Sequence, residues 1–227
     1  MSKKVISFSV FGTKPIYIAG MFRNIELSKT VYPGWEVFVY HDNSIPLLVQ
    51  KKMSQMGAKL TNMDGSGIPG TMWRFLPHDD KEIDFFISRD SDFRLFSREK
   101  EAVEVWLQSG KTLHVMRDNP HHRDVILAGM FGLLHDDFRI KESILSYIED
   151  NKERVTVKTF DQEFLKNIIY PLYKNDMYVH SSIYFLEDGA NPFPSKIKDN
   201  RFVGEQIFSD ESRVKQNAWA TQQERRT

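Results

Sequence analysis

The sequence predicts an α/β protein: a single-domain, Rossmann-like mixed sheet flanked by helices. Strand-like and helix-like segments alternate from residue 5 to residue 63, which favours parallel strands joined by crossover helices. A further apolar strand ends abruptly in two acidic residues, and ligands of open α/β sheets lie beyond such strand ends. With 227 residues, the chain is long enough for one domain with a sizeable core.

The first part of the chain supplies three strands and two helices. The strands are predicted from short β-branched and aromatic runs, and the helices from apolar residues at helical spacing. Gly57 follows the second helix at the position that favours a left-handed glycine. The predicted strands are 5–11, 35–40 and 58–63, and the predicted helices are 17–30 and 46–56.

The second part of the chain continues the alternation less regularly. It opens with the apolar strand that ends at Arg89, and Gly110 and Pro171 are predicted to end two of the later helices. The predicted helices are 97–109, 138–151 and 159–170. The predicted strands are 113–116, 126–132 and a last strand in two parts, 177–180 and 183–185, with an irregularity between them. We expect one domain at 1–208, followed by a polar and frayed tail at 209–227.

Composition excludes several classes of protein. Basic and acidic residues balance to a formal net charge of zero, so nucleic acid is not expected as a partner. The chain has no cysteine, which excludes disulfides, thiolate metal sites and a cysteine nucleophile. No apolar run approaches the length of a membrane span, and the N-terminus does not read as a signal peptide. We therefore expect a cytoplasmic protein without a membrane span.

Two acids stand one residue apart at the end of the apolar strand. On an extended chain the side chains of Asp90 and Asp92 point the same way, so both carboxylates can reach one hard cation. Mg²⁺ and Mn²⁺ suit such oxygen ligands, and phosphate oxygens commonly fill the coordination positions that remain. The alternative is a surface turn in which Arg89 and Arg94 neutralise the acids, an arrangement that contributes little stability.

Other residues carry a structural and a functional interpretation side by side. Arg74 can grip a diphosphate with its planar guanidinium, or it can be an exposed helix arginine. Gly129 within an apolar run marks either a close approach of backbone or ligand, or a bulge. Thr159 and Gln162 fit a capping box, and Asp161 suits the first turn of a helix. A carboxylate at that place can also bind a sugar hydroxyl or act as base or nucleophile.

Histidines are the remaining candidate ligands, because the chain has no thiolates. His180 ends an apolar stretch, where its imidazole can complete a carboxylate site for Mn²⁺ or can be a packed core residue. His121 and His122 lie in a polar loop, where they can contact substrate or face water.

The order of these motifs resembles a known family. The runs that carry the resemblance are Met72–Pro77, Phe86–Leu95, His114–His121 and Ile126–Gly132. Together with the later Asp161 and Gln162 and then His180, they resemble nucleotide-sugar-dependent glycosyltransferases of the GT-A fold. The order is similar to the glycogenin-like and lipopolysaccharide-galactosyltransferase-like retaining families, and closer to uncharacterised bacterial and viral glycosyltransferase-like proteins. The resemblance covers about Val5 to Phe208.

The resemblance implies a function and a set of site residues. It implies a metal-dependent glycosyltransferase in which Asp90, Asp92 and His180 bind Mn²⁺ or Mg²⁺ beside the diphosphate of a nucleotide-sugar donor, with a UDP-sugar favoured. It implies that Asp161 and Gln162 are the catalytic residues near the donor sugar. The donor-binding residues that it implies are Val10, Phe11, Arg74, Arg89, Asp90, Ser91, Asp92, Ala128, Gly129 and Met130. The acceptor (a glycan, a lipid-linked group or a small molecule) stays open, as does the choice between retaining and inverting transfer.

The sequence departs from those families at two points. The interval from Asp161 to His180 is shorter than in glycogenin-like enzymes, and the glycine-lysine-proline-tryptophan segment that follows the histidine there is missing. One of Lys196, Lys198 and Arg201 would then take over its contact with phosphate.

Two rival interpretations stay open on the sequence alone. A haloacid-dehalogenase-like phosphatase also places two acids two apart after a strand. The residue two beyond the second acid is normally Thr or Val there, whereas it is Arg94 here. A non-catalytic nucleotide- or sugar-binding module of the same fold would keep the architecture without turnover.

Overall fold

A computed structural model describes residues 2–183 and 187–213 of the chain. The strands of this part are β1 (Lys4–Val10), β2 (Glu36–His41), β3 (Lys59–Asn62), β4 (Phe85–Arg89), β5 (Leu113–Arg117), β6 (Met130–Leu134) and β7 (Met177–Ser181). They form one seven-stranded sheet in the order β3-β2-β1-β4-β6-β5-β7.

Helices cover both faces of this sheet. They are α1 (Pro15–Val31), α2 (Leu47–Gln55), α3 (Ser97–Ser109), α4 (Ile140–Asp150), α5 (Phe160–Phe164) and α6 (Tyr170–Tyr173), with a π-helical segment at Leu165–Ile169 and 3₁₀ segments at Gly70–Asp79 and Lys152–Arg154. Buried residues of α1, α2 and α3 share one apolar cluster with β1 and β2. The 3₁₀ segment at 70–79, α4 and α5 contribute to a second cluster. No helix of the described ranges is long and apolar enough to cross a membrane.

The sheet is mixed, as the sequence predicts. Strands β1, β2, β3 and β4 pair in parallel through crossover connections. Strand β6 runs antiparallel between β4 and β5, and β7 is parallel to β5. A loop without a helix joins β5 to β6, so β6 returns in the opposite direction to its neighbour.

Strand directions bring three chain segments to one edge of the sheet. Parallel β1 and β4 both end there, so Phe11 and Asp90 follow their last residues on the same side. Because β6 is antiparallel, its first residue Met130 lies opposite Arg89, and the turn before β6 reaches the same edge. The strand expected at 126–132 therefore begins only at Met130.

The helix after residue 159 differs from its prediction. It does not stop before Pro171, because the wider turn at Leu165–Ile169 precedes α6 and Pro171 falls in the first turn of α6, where its missing N–H is tolerated. Thr159 makes no capping hydrogen bond to the backbone, and its Oγ1 lies 3.2 Å from Glu163 Oε1 instead. The capping-box interpretation is therefore wrong.

The C-terminal segment makes contacts with the rest of the fold as far as residue 213. Phe208 N donates to Ser212 O at 2.9 Å, and Arg94 Nη2 donates to Glu211 Oε1 at 2.8 Å. Buried Arg94 thus contacts this segment from the loop that follows β4. Residues 214–227 of the expected tail lie outside the described residues, as do residues 184 and 185 of the last predicted strand.

Candidate active site

A cleft of about 590 Å³ opens at the sheet edge where β1 and β4 end. Its walls come from the loops after β1 and β4, the 3₁₀ segment at 70–79, the turn before β6, the start of α5 and the C-terminal segment. The lining residues include Phe11, Lys14, Tyr17, Arg74, Asp90, Ser91, Asp92, His122, Ala128, Gly129, Met130, Lys158, Asp161, Gln162, Gly204 and Gln206.

The acid pair lies in this cleft and is partly buried. Burial and the neighbouring charge of Asp90 raise the pKa of Asp92. The loop is fixed to α1, because the side chain of Asn24 donates to Ser91 O at 3.2 Å. Gly20 allows this close approach, since a Cβ there would lie 2.0 Å from the same carbonyl oxygen. Both carboxylates therefore line the cleft, where a cation would offset their charges.

Arg74 joins the acid pair to α5. Its Nη1 contacts Asp90 Oδ1, and its Nη2 lies 3.2 Å from Asp161 Oδ2. Its backbone N–H donates to Ser9 Oγ of β1 at 3.0 Å. Burial alone would lower the pKa of Arg74, but the two carboxylates outweigh this and raise it, so the guanidinium stays charged. Arg74 is thus buried, and the exposed-arginine interpretation is wrong.

Asp161 is 5% exposed and begins α5. Its Oδ1 accepts a hydrogen bond from the Gln162 backbone N–H at 3.0 Å, while its Oδ2 faces Arg74. Burial raises the pKa of Asp161, and the charge of Arg74 opposes that shift. The side chain of Gln162 lines the cleft beside this carboxylate.

Gly129 lies in the turn before β6 and touches the acid pair. A Cβ at this position would lie 1.9 Å from Asp90 Oδ2, so any larger residue would displace that carboxylate. The preceding Ala128 O accepts a hydrogen bond from Ser88 Oγ of β4 at 2.7 Å, which ties the turn to the strand. The glycine marks a close approach of chain segments, and no bulge is needed to explain it.

His122 lines the cleft, and its contacts decide which ring nitrogen carries the proton. The backbone N–H of Asp118 donates to His122 Nδ1 at 3.0 Å, so the ring proton must be on Nε2. Burial lowers the pKa of His122 to about 4, which keeps the ring neutral at neutral pH. Asp118 is itself held by Arg98, with Nε to Oδ2 at 2.8 Å. His121 beside it is exposed and is not among the residues that line the cleft.

His180 is not brought to the acid pair. It is buried in β7, where its Nδ1 lies 2.9 Å from His114 Nε2 and its ring is 5.4 Å from that of Phe193. Strands β6 and β5 separate β7 from β4, a span of about 14 Å at the usual strand spacing. Among residues 2–183 and 187–213, no group of three His, Cys, Asp or Glu side chains is placed to hold a metal. Burial, with a smaller effect of Arg98, lowers the pKa of His180 to about 4.

Two other residues implied to bind the donor lie behind the cleft wall. Arg89 is fully buried, contacts Glu99 through Nε and donates from Nη1 to Phe131 O at 3.0 Å. Val10 is buried at the end of β1, whereas Phe11 lines the cleft with its ring 5.6 Å from that of Trp73. Successive side chains along a strand point to opposite faces of the sheet, so Arg89 points away from the side on which Asp90 lies.

The basic residues at the cleft are not those that the sequence suggested. Lys196, Lys198 and Arg201 are not among its described lining residues, and Arg201 lies over the ring of Phe96 at 4.3 Å. The lining cations missed on sequence are Lys14 and Lys158. The sequence offered an indication for both residues, since Lys14 lies in the loop after β1 and Lys158 shortly precedes α5.

Gln206 is a further cleft residue that sequence reasoning missed. Its Nε2 donates to Asp92 Oδ2 at 2.7 Å, and Ile207 N donates to Asp92 O at 2.8 Å. The two partners stand 114 residues apart along the chain, so no local pattern could have indicated their contact.

Comparisons with known proteins address the fold. No protein-family model matches the chain, and no curated protein sequence matches it. Two structures of the glycosyltransferase GlyE from Streptococcus pneumoniae TIGR4 match 78% of the chain, with TM-scores of 0.54 and 0.52 at 16% and 18% identity. An active-site mutant of LgtC matches 85% of this chain and 84% of its own, with a TM-score of 0.50 at 13% identity.

The chain has a glycosyltransferase fold of the GT-A type. This confirms the α/β class and the mixed sheet that the sequence predicts. At these identities the likeness shows the GT-A fold alone. The chain spans 44% and 45% of the two GlyE chains.

Proposed function

We propose that the protein transfers a sugar from a nucleotide-diphosphate donor to an acceptor hydroxyl with the help of a divalent cation. One observation carries this proposal: Asp90 and Asp92 both line a cleft at the strand ends of a GT-A fold. Fold alone does not decide function, so the argument depends on the chemistry of this cleft.

The acid pair fits Mg²⁺ or Mn²⁺. Both ions prefer carboxylate oxygens, and the raised pKa of Asp92 reflects burial and the nearby charge of Asp90, which a cation would offset. Asp90 and Asp92 would hold the ion, and a bound ion would stabilise the negative charge that develops on the departing diphosphate.

Other cleft residues suit the nucleotide. Lys14 and Lys158 are exposed at the cleft, and no ion pair of the described residues includes either of them, so their charges are available to phosphate. The ring of Phe11 is 39% exposed beside the end of β1, where it offers a flat apolar face to a base. We propose a UDP-sugar as the donor, following the sequence resemblance.

Asp161 and Gln162 are proposed to contact the donor sugar. Both oxygens of Asp161 already accept hydrogen bonds, from Arg74 and from the Gln162 backbone N–H, so the carboxylate is fixed in orientation. The side-chain amide of Gln162 has no hydrogen-bond partner among the described residues, so it can bind a sugar hydroxyl at the same end of the cleft. Such fixed polar groups favour a transition state because they need no reorganisation during the reaction.

The acid pair does not support the phosphatase alternative. It follows the fourth strand of the chain, whereas the acids of haloacid-dehalogenase-like phosphatases usually lie near the N-terminus.

We propose a cytoplasmic location for the protein, because the sequence has no cysteine.

A donor-hydrolysis panel tests the proposed function. Nucleotide sugars with different bases would be incubated with the protein in Mn²⁺, in Mg²⁺ and in EDTA, and free nucleotide diphosphate would be measured. We expect metal-dependent release from at least one donor, with the release lost in Asp92→Asn. Binding of nucleotide without any turnover across the panel would favour a non-catalytic binding module instead.

A further inference from the structure

The C-terminal segment supplies a side chain to the acid pair. The Gln206 amide lies 2.7 Å from Asp92 Oδ2, and the neighbouring Ile207 N–H donates to the backbone oxygen of the same aspartate at 2.8 Å. A backbone and a side-chain hydrogen bond to one residue fix the amide group at that carboxylate. Gln206 also lines the cleft, so its amide faces the space beside the acids.

Contacts on both sides of Gln206 hold this segment in place. Val203 N donates to the buried Asp118 Oδ2 at 2.9 Å, and Arg94 Nη2 donates to Glu211 Oε1 at 2.8 Å. Between these anchors, Gly204 turns the chain with φ +82°, and a Cβ there would lie 2.3 Å from the Met130 sulfur. The position of the amide is therefore set by the fold.

An amide in this position is suited to a hard cation. Carbonyl oxygens of Gln are good ligands for Mg²⁺ and Mn²⁺, and a half-turn of the terminal torsion exchanges the amide oxygen and nitrogen without moving the chain. Adjacent ligands of an octahedral ion with bonds of about 2.0–2.1 Å lie about 3 Å apart. The spacing between the Gln206 amide and Asp92 Oδ2 is close to that value.

We propose that Gln206 is the third protein ligand of the cation held by Asp90 and Asp92. This assignment rests on the proposed function, and it gives Gln206 the role that the sequence resemblance implies for His180. The resulting ligand set contains oxygen atoms only. Carboxylate and carbonyl oxygens suit Mg²⁺ and Mn²⁺, and the set lacks the imidazole that suits Ni²⁺ and Zn²⁺.

Mn²⁺ binding to the donor-free protein tests the assignment. Free Mn²⁺ would be measured by electron paramagnetic resonance for wild type, Gln206→Ala, Gln206→His and Asp92→Asn, with Gln162→Ala as a matched control in the same cleft. We expect Gln206→Ala to lower Mn²⁺ affinity about tenfold or more, as the loss of a supporting metal-site group does elsewhere. Gln162→Ala should keep the wild-type affinity. Thermal unfolding would show that each variant is folded.

The Gln206→His variant separates metal ligation from a purely structural role of Gln206, because only a ligand would change the metal preference of the site. We expect Gln206→His to gain affinity for Ni²⁺ relative to Mg²⁺, and to lose Mn²⁺ as the pH falls through about 6.5. Equal Mn²⁺ affinity in wild type and Gln206→Ala, with a loss in Asp92→Asn, would overturn the assignment and leave the proposed function standing. A wild-type protein that binds no Mn²⁺ would overturn both.

Discussion

Arg74 and Asp161 form a buried ion pair, with 3.2 Å between Nη2 and Oδ2. The same guanidinium also contacts Asp90. The side chain of Arg74 therefore links the proposed metal site to the carboxylate that is proposed to face the donor sugar. Arg74 therefore balances the negative charge of both acids, and the effects of its removal on stability and on binding can be measured.

Removal of Arg74 should destabilise the fold. In Arg74→Met, Asp161 remains buried without its partner, and breaking a buried pair in this way costs about 3–5 kcal/mol of unfolding free energy. Urea unfolding followed by circular dichroism measures the change. The double variant Arg74→Met/Asp161→Asn should recover part of the loss, because it removes the unpaired charge. Additive effects of the two substitutions would contradict the pair.

Gly129→Ala should damage the metal site more than the fold. Its new Cβ would meet Asp90 Oδ2 at 1.9 Å and must displace the carboxylate. We expect Mn²⁺ affinity to fall about tenfold or more, with the far-ultraviolet circular dichroism spectrum retained. Gly189→Ala is the control, since no heavy atom of the described residues lies within 4 Å of the added methyl group. An unchanged affinity in Gly129→Ala would show that Asp90 does not hold the ion in this geometry.

Titration of His180 should make the unfolding free energy of the protein decrease as the pH falls. Its pKa is lowered to about 4 in the folded state by burial, against about 6.5 when unfolded. The unfolded state therefore takes up the proton first, so stability is lost as the pH falls from about 6.5 to 4, by up to about 3 kcal/mol. His180→Gln can keep a hydrogen bond to His114 but does not titrate. The unfolding free energy of His180→Gln should lie below that of wild type, and this deficit should shrink as the pH falls. If the unfolding free energies of the two proteins instead fall in parallel, titration of His180 is not the cause of the pH dependence.

His122 should bind nucleotide through its Nε2–H group. Gln places an amide N–H near the position of Nε2, so His122→Gln should keep most of the UDP affinity. His122→Leu should lose about 3–10-fold, the value of one ordinary hydrogen bond. His121→Leu, one residue earlier and exposed, should change nothing. Because the ring is neutral, wild-type affinity should not rise as the pH falls from 8 to 6, and such a rise would contradict the assigned tautomer.

The parts of the fold that sequence predicted are those with a local signal. The alternation in the first 63 residues depends on periodicity within each segment, and the structure reproduces it. The place of Asp90 and Asp92 at a strand end also follows from neighbouring residues alone. The antiparallel β6 could not be predicted, because the direction of a strand depends on where its connection leads.

The proposed third ligand, Gln206, could not be predicted from sequence for the same reason. His180 looked suitable because it ends an apolar stretch, but the strand order places it three positions from β4. The position of Gln206 depends on contacts such as Val203 with Asp118, which are 85 residues apart. The alternative interpretation placed Arg94 on a surface turn, and its burial against the C-terminal segment likewise depends on a contact across more than 100 residues.

Calorimetric titration with UDP tests the central claim most directly. The protein would be titrated in Mn²⁺ and again in EDTA, with Asp92→Asn measured beside wild type. If the acid pair holds a cation that bridges the diphosphate, wild type binds UDP in Mn²⁺, and both EDTA and Asp92→Asn abolish that binding. Equal UDP affinity with Mn²⁺ and with EDTA, retained in Asp92→Asn, would contradict a metal-bridged donor site.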